Sequence, residues 1–329
     1  MTPLDADRRH ITALLAAAAL WPAGRALAIT PEPPPMTPAS GALGPPAAPS
    51  APPAAGAPNT SIGAGIDWTS RMTAPVRIEG QGPFPFVVDT GANRTVIAAE
   101  LAMKLGLPEG ELEPVQGVAG MQMAPTAFAS LTVGDRTGRR GPVSLLPSAA
   151  IGGQGLLGLD RIGDQCVTLD FRAQQLVIGP APPRWAGTYE VSVRAHWRDG
   201  QLTMVDADLS GIPVVAFIDS GADTTIGNMA LHHFCLERDT AVKWLKEPLI
   251  SATGQTMEAE MADLPNLRVG GFKLPDWPVA FVDLHTFAMW GLNERPAILL
   301  GMDLLSRFDR VSLDFSRGVV RFRLPSAGI

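Results

Sequence analysis

The sequence predicts a mainly β protein built as two lobes in tandem. Three observations predict it: an internal duplication, short apolar runs bounded by turn residues, and helical patterning confined to brief pieces. The duplication has four anchors. Phe86-Val87-Val88-Asp89-Thr90-Gly91-Ala92 returns as Ala216-Phe217-Ile218-Asp219-Ser220-Gly221-Ala222, 130 positions later. Glu113-Pro114-Val115, with Gly120 and Met123, returns as Glu247-Pro248-Leu249, with Gly254 and Met257, at an offset of 134. Gly155-Leu156-Leu157-Gly158-Leu159-Asp160 returns as Ile298-Leu299-Leu300-Gly301-Met302-Asp303 at 143, and Leu169-Asp170-Phe171 as Leu313-Asp314-Phe315 at 144. The anchors keep their order while the offset grows by small insertions, as gene duplication leaves them.

Each copy reads as β. The runs Arg71 to Ile78 and Pro85 to Asp89 flank Gly80-Gln81-Gly82, and Tyr189 to Trp197 and Leu202 to Leu209 flank the hairpin dipeptide Asp199-Gly200. Helical signal falls on Ala98 to Leu105, Met229 to Leu236 and the segments after Gly158 and Gly301. The run Gly179-Pro180-Ala181-Pro182-Pro183 cannot continue a sheet and separates the copies, giving lobes over 65–183 and 184–329.

Ahead of the lobes the order is charged, apolar, small: Asp7-Arg8-Arg9-His10, then Ile11 to Trp21, then Ala26-Leu27-Ala28. This is the layout of an export signal over 1–28 cleaved after Ala28, and the paired arginines resemble a bacterial twin-arginine signal. Its apolar stretch falls short of the roughly 20 residues that span a bilayer. The mature chain is therefore expected in the periplasm or secreted, with no stable membrane span. Residues 29–64 read as a linker, since Thr30 to Pro58 holds eleven prolines and one charge, Glu32, and offers nothing to bury.

Composition excludes other classes. The 329 residues are 46% hydrophobic and 18% charged with net charge −6, enough for two ordinary cores. With 26 Lys plus Arg against 32 Asp plus Glu and no basic run, nucleic acid is not an expected partner. Two distant cysteines, Cys166 and Cys235, make no disulfide framework and read as buried thiols. His232-His233 with Cys235 lacks a metal-binding spacing, and no nucleophile elbow, phosphate loop or dinucleotide fingerprint is present. Trp185, Trp197, Trp244, Trp277 and Trp290 read as packing residues before groove-lining ones.

The chemistry sits in the first anchor. Twice, an apolar strand runs into a carboxylate, a small hydroxyl residue, glycine and alanine. A carboxylate beside a buried strand costs several kcal/mol if nothing satisfies it, so a partner or a use is required, and the duplication suggests that each aspartate is the other's partner. Two carboxylates in one small space share a proton, so one can act as base on water and the other as acid toward a carbonyl. Thr90 and Ser220 offer hydroxyls to the opposite copy's backbone. Gly91 and Gly221 permit close approach and offer N–H groups to the carboxylates.

Asp89-Thr90-Gly91-Ala92 and Asp219-Ser220-Gly221-Ala222, each followed 69 or 82 residues later by apolar-apolar-Gly, resemble the retroviral-like (retropepsin-type) aspartic peptidases. The resemblance covers roughly Pro75 to Pro325. It implies two closed β-barrel lobes fused in a pepsin-like pair and a monomer sufficient for activity. It also implies endopeptidase chemistry on extended polypeptide with no metal or cofactor. Catalytic roles fall to Asp89 and Asp219, with Thr90, Gly91, Ala92, Ser220, Gly221 and Ala222 in support. The family's flaps match Val115 to Met123 and Leu249 to Met257, with Gly120 and Gly254 near the tips. Asp223 matches a family position that grips substrate backbone, while the first copy has Asn93, so the halves should grip unequally. Tyr189, the single tyrosine, lies outside both hairpins, unlike the pepsin flap tyrosine. Ala92 and Ala222 place no hydroxyl against the carboxylates, which argues for activity nearer neutral pH. The rival reading is a catalytically silent peptide-binding scaffold of the same fold.

Overall fold

The computed structural model describes residues 30–31, 59–67, 70–162, 165–181, 190–198, 201–238, 244–274 and 276–325. The export signal, most of the linker, Trp185, Tyr189 and the Asp199-Gly200 turn lie outside these.

The chain is mainly β, with a few short helices. The strand Gln81–Val88 begins exposed at a hairpin and becomes buried over Phe86, Val87 and Val88, which deliver Asp89 to the interior. Ile212–Ile218 does the same for Asp219. Each can run into the interior because strands on both edges satisfy its backbone hydrogen bonds. The first pairs with Met72–Ile78 and, in parallel, with Gly155–Leu157. The second pairs with Gln201–Leu209 and, in parallel, with Ala297–Leu300.

The lobes repeat one topology. In the first, hydrogen-bonded order runs Leu131–Val133, Met72–Ile78, Gln81–Val88, Gly155–Leu157, Val96–Ala98, Gly141–Leu146, Gly120–Ala129, Glu109–Gly117. In the second it runs Leu267–Val269, Gln201–Leu209, Ile212–Ile218, Ala297–Leu300, Ile226–Gly227, Trp277–Phe281, Thr256–Leu264, Leu245–Ile250. These paths are open, which corrects the expectation of closed barrels. Each ends at a hairpin, Glu109–Ala129 or Leu245–Leu264, that extends as an arm with its outer strand unpaired on the far side.

A sheet of six antiparallel strands joins the lobes, in the order Thr60–Gly63, Gln175–Gly179, Cys166–Asp170, Arg310–Asp314, Val319–Arg323, Glu190–Arg198. At its centre Thr168 stands opposite Ser312, its own equivalent under the 144 offset, and the two hydroxyls are hydrogen-bonded. A pseudo-twofold axis therefore passes between them. Glu190–Arg198 also pairs with Gln201–Leu209, so this sheet continues into the second lobe. Thr30–Pro31, inside the segment read as linker, pairs with Phe272–Lys273.

Local corrections follow from turn chemistry. The first hairpin turns at Glu79-Gly80, both at positive φ (48° and 77°), and pairing resumes at Gln81, so the turn precedes Gly82. The helices Ala99–Lys104, Met229–Arg238 and Met302–Leu305 and the 3-10 turn Leu159–Arg161 stand on the segments expected to be helical, while Ser148–Ile151 and His285–Met289 are further short helices. Trp277 and Trp290 are buried core residues. Cys166 and Cys235 are buried free thiols. Among the described residues no helix is long and apolar enough to cross a membrane.

Candidate active site

Asp89 and Asp219 each follow the last residue of a buried strand, and each is fixed by its neighbours. Asp89 N–H donates to Leu157 O at 3.0 Å and Asp219 N–H to Leu300 O at 3.1 Å. The loops beyond them pass close to the third anchor, where Leu159 N–H donates to Ala92 O and Met302 N–H to Ala222 O, both at 2.9 Å. A Cβ on Gly158 would lie 2.6 Å from the Arg94 backbone, and one on Gly301 would lie 2.5 Å from that of Thr224. This close crossing is the physical reason for glycine in Leu-Leu-Gly.

The two loops meet across the pseudo-twofold. A Cβ built on Gly91 would stand 2.5 Å from Asp219 Cγ, and one on Gly221 would stand 2.4 Å from Asp89 Cγ. Each carboxylate thus occupies the space that the other lobe's glycine leaves open, which brings Asp89 and Asp219 together at one site. Asp89 Oδ1 accepts from Gly91 N–H and Ala92 N–H, both at 2.9 Å, and Asp219 Oδ1 from Gly221 N–H at 2.9 Å.

Behind the pair the hydroxyls interlock. Thr90 N–H donates to Ser220 Oγ at 3.1 Å and Ser220 N–H to Thr90 Oγ1 at 3.0 Å. Ser220 Oγ donates to Val88 O at 2.7 Å, and Thr90 Oγ1 to Ile218 O at 3.3 Å. Every bond crosses between lobes and all are buried, so water does not compete for them.

Two further pairs sustain the loops, and the sequence reading assigned them no role. Thr95 N–H and Oγ1 donate to Asp160 Oδ1 at 2.8 and 2.7 Å, and Gly158 N–H donates to Thr95 Oγ1 at 3.1 Å. Thr225 Oγ1 donates to Asp303 Oδ1 at 2.8 Å, and Gly301 N–H to Thr225 Oγ1 at 3.2 Å. The signal was present: both threonines stand six residues after the loop aspartate, and both acids close the third anchor.

The two hairpins meet at their tips. Gln122 Nε2 donates to Thr253 O at 3.2 Å, and a Cβ on Gly117 would stand 2.7 Å from the Thr253 side chain, so the tips touch. Val118 O accepts from His285 N–H at 2.6 Å, which seats the first tip on the second lobe. Gly120 (φ 136°) opens the returning strand and Gly254 (φ 82°) lies in the second tip. Asp223 lies 3.2 Å from Arg71 Nε, whereas Asn93 is exposed on the matching loop. His232 Nε2 meets Glu260 Oε2 at 2.7 Å and its ring packs on Trp244 and Phe281, a buried core arrangement. Among the described residues no group of three or more His, Cys, Asp or Glu could hold a metal ion.

A family model described as aspartyl protease matches residues 74–161 and 205–304, more than half of the chain in two blocks. The chain belongs to the aspartyl protease family. No curated protein matches it. Each block of this aspartyl protease holds the first three anchors, from the Asp-Thr/Ser-Gly strand to the aspartate that closes the third, so the family is present twice.

Burying two acids together changes their proton affinity. Desolvation first, then the charge of Asp219, pushes Asp89 up to about 8 from 3.8. Asp219 is also raised by burial, against the Gly221 and Ala222 N–H groups and the Arg71 guanidinium, which favour its charged form. The folded aspartyl protease therefore holds a proton on Asp89 that the unfolded chain releases. The stability tied to that proton is complete below about pH 4 and is lost as pH rises to about 8. Asp89→Asn removes the loss. In thermal unfolding, the Tm of Asp89→Asn minus that of the natural chain should grow with pH across this window, and a constant difference would refute the assignment.

Proposed function

We propose that the chain is a retropepsin-like aspartic endopeptidase that hydrolyses peptide bonds in extended polypeptide segments. The meeting of Asp89 and Asp219 in one buried site, each against the other lobe's glycine, carries this reading. The ionised carboxylate takes a proton from water, whose oxygen bonds to the substrate carbonyl carbon, while the protonated carboxyl gives its proton to the carbonyl oxygen. Collapse of the resulting diol breaks the C–N bond, with a proton passing to the departing amine. The interlock holds both acids in place before substrate binds, so little reorganisation remains for the chemical step.

The two hairpins would pair with the substrate backbone, as an added strand pairs with a sheet edge, and side-chain pockets would choose the sequence. Because Val118 O and Gln122 Nε2 tie the first tip to the second lobe, entry requires the tips to part. That one chain carries both acids supports a monomer sufficient for activity, and the charged, apolar, small order of residues 1–28 supports export to the periplasm or outside the cell.

The test is to incubate the chain with an unfolded polypeptide from pH 3 to 8 and map the products by mass spectrometry. Internal cuts unaffected by chelators or by serine- and cysteine-directed reagents are expected. A folded chain that binds the polypeptide but cuts nothing at any pH would instead establish the silent scaffold. Catalysis needs one proton on the pair, so kcat/KM should be bell-shaped. Its alkaline limb should lie near 8, set by Asp89, and its acid limb above 3.8, set by Asp219.

A further inference from the structure

Arg71 immediately precedes the strand Met72–Ile78 of the first lobe, yet its guanidinium reaches the loop that carries Asp219. Only 9% of its side chain is exposed. Nε donates to Asp67 Oδ2 at 2.8 Å and lies 3.2 Å from Asp223 Oδ1, and Nη1 donates to Gly221 O at 3.4 Å. Nη2 donates to Ile151 O and Gly152 O at 3.3 and 3.4 Å. The charge is thus clamped to the first lobe by Asp67, Ile151 and Gly152 and turned toward positions two and four residues after Asp219.

The duplication does not repeat this arrangement. Pairing puts Thr73 opposite Val87 and Thr203 opposite Phe217, so the equivalent of Arg71 is Gln201. The equivalent of Asp223 is Asn93. One side of the pseudo-twofold carries a cation between two anions, Asp67 and Asp223, where the sequence puts neutral amides at the positions matching Arg71 and Asp223. A backbone built on symmetry therefore holds an unsymmetrical charge.

We propose that Arg71 divides the labour of the two acids: placed on the Asp219 loop alone, it makes Asp219 the carboxylate that takes the proton of water and leaves Asp89 as the acid toward the substrate carbonyl. This assignment rests on the peptidase reading for the roles, but the position of the shared proton is a property of the resting chain. The guanidinium stabilises the charged form of Asp219. Of the other ionisable groups around the pair, Asp67 and Asp223 meet Arg71 itself. Asp303, on the helix behind the Asp219 loop, is hydrogen-bonded by Thr225 and Trp277 and is pushed up to about 6 by burial, while its counterpart Asp160 is hydrogen-bonded by Thr95 and paired with Arg161 at 3.1 Å. Arg71 is a positioning residue, acting through Asp219.

The test titrates each acid alone by isotope-edited infrared spectroscopy of the full chain. The carboxyl midpoint of Asp219 in Asp89→Asn should lie at least about one pH unit below that of Asp89 in Asp219→Asn. Adding Arg71→Gln should bring the midpoints together, whereas Arg71→Lys should keep them apart. Gln201→Arg with Asn93→Asp leaves Arg71 in place and gives the Asp89 loop the residues that match Arg71 and Asp223, so it too should close the gap; it covers the case in which Arg71→Gln fails to fold. In kinetics, Arg71→Gln should move the acid limb of kcat/KM up by about one unit, where a purely structural role would lower activity by one factor at every pH. Equal midpoints, a reversed order, or a gap indifferent to both charge changes would overturn the proposal. These midpoints need no substrate, so they stand apart from whether the chain cleaves peptides.

Discussion

Replacing either Asp89 or Asp219 with Asn should lower kcat/KM by about 10⁴-fold, and the two losses should be similar. The carboxamide has the shape of the carboxylate, and its oxygen can still accept from Gly91 and Ala92 N–H or from Gly221 N–H. The Thr90–Ser220 interlock touches neither carboxyl group, so the lobes should stay joined. What disappears is proton exchange. Asn at 89 cannot hand a proton to the carbonyl, and Asn at 219 cannot take one from water, so each change halts the same step and the double variant should be no worse than either single one. Cleavage of an unfolded polypeptide, followed by mass spectrometry alongside circular dichroism, reads this directly. Either variant keeping more than about a tenth of the natural activity while folded would remove the paired-acid mechanism.

Much of this arrangement was legible in the sequence because duplication wrote it twice. Two strands ending in Asp-Thr/Ser-Gly-Ala, two Leu-Leu-Gly segments and a regular growth of offset located the loops, and elementary chemistry assigned the hydroxyls to cross-lobe bonding. Contacts that depend on the relative placement of the lobes could not be read that way. Arg71 lies 18 residues before Asp89 and looks like the first residue of an ordinary strand, yet it meets Gly221 and Asp223 some 150 positions later. The six-stranded sheet was hidden for a related reason: alternation reveals which face of a strand is buried but not whose edge completes its ladder, so nothing in Cys166–Asp170 names Arg310–Asp314 as its neighbour. Asp160 and Asp303 were visible as repeated letters. Their bonds to Thr95 and Thr225 emerge only when the loop folds back over the third anchor.

Gly91→Ala or Gly221→Ala should abolish activity, with at least about a 10³-fold loss, although each adds one methyl group. At both positions the new Cβ would fall 2.4 to 2.6 Å from the carboxyl atoms of the opposite aspartate. One side must move, and the means to do so are few. The aspartates are held by loop N–H groups, the loops by four cross-lobe bonds of Thr90 and Ser220, and the strands behind them by parallel pairing. Relief comes only by turning a carboxyl away or prising the lobes apart, with an overpacking cost of about 1–3 kcal/mol. A smaller Tm should accompany the lost cleavage. Gly120→Ala separates this steric effect from loss of glycine as such. Gly120 has φ 136°, but a Cβ there meets nothing within 4 Å. Its substitution should strain its own hairpin locally and slow cleavage much less, leaving the carboxyl midpoints unchanged. Full activity in Gly221→Ala would mean that the Asp89 carboxyl does not occupy the gap which that glycine leaves, and the shared site would fall with it.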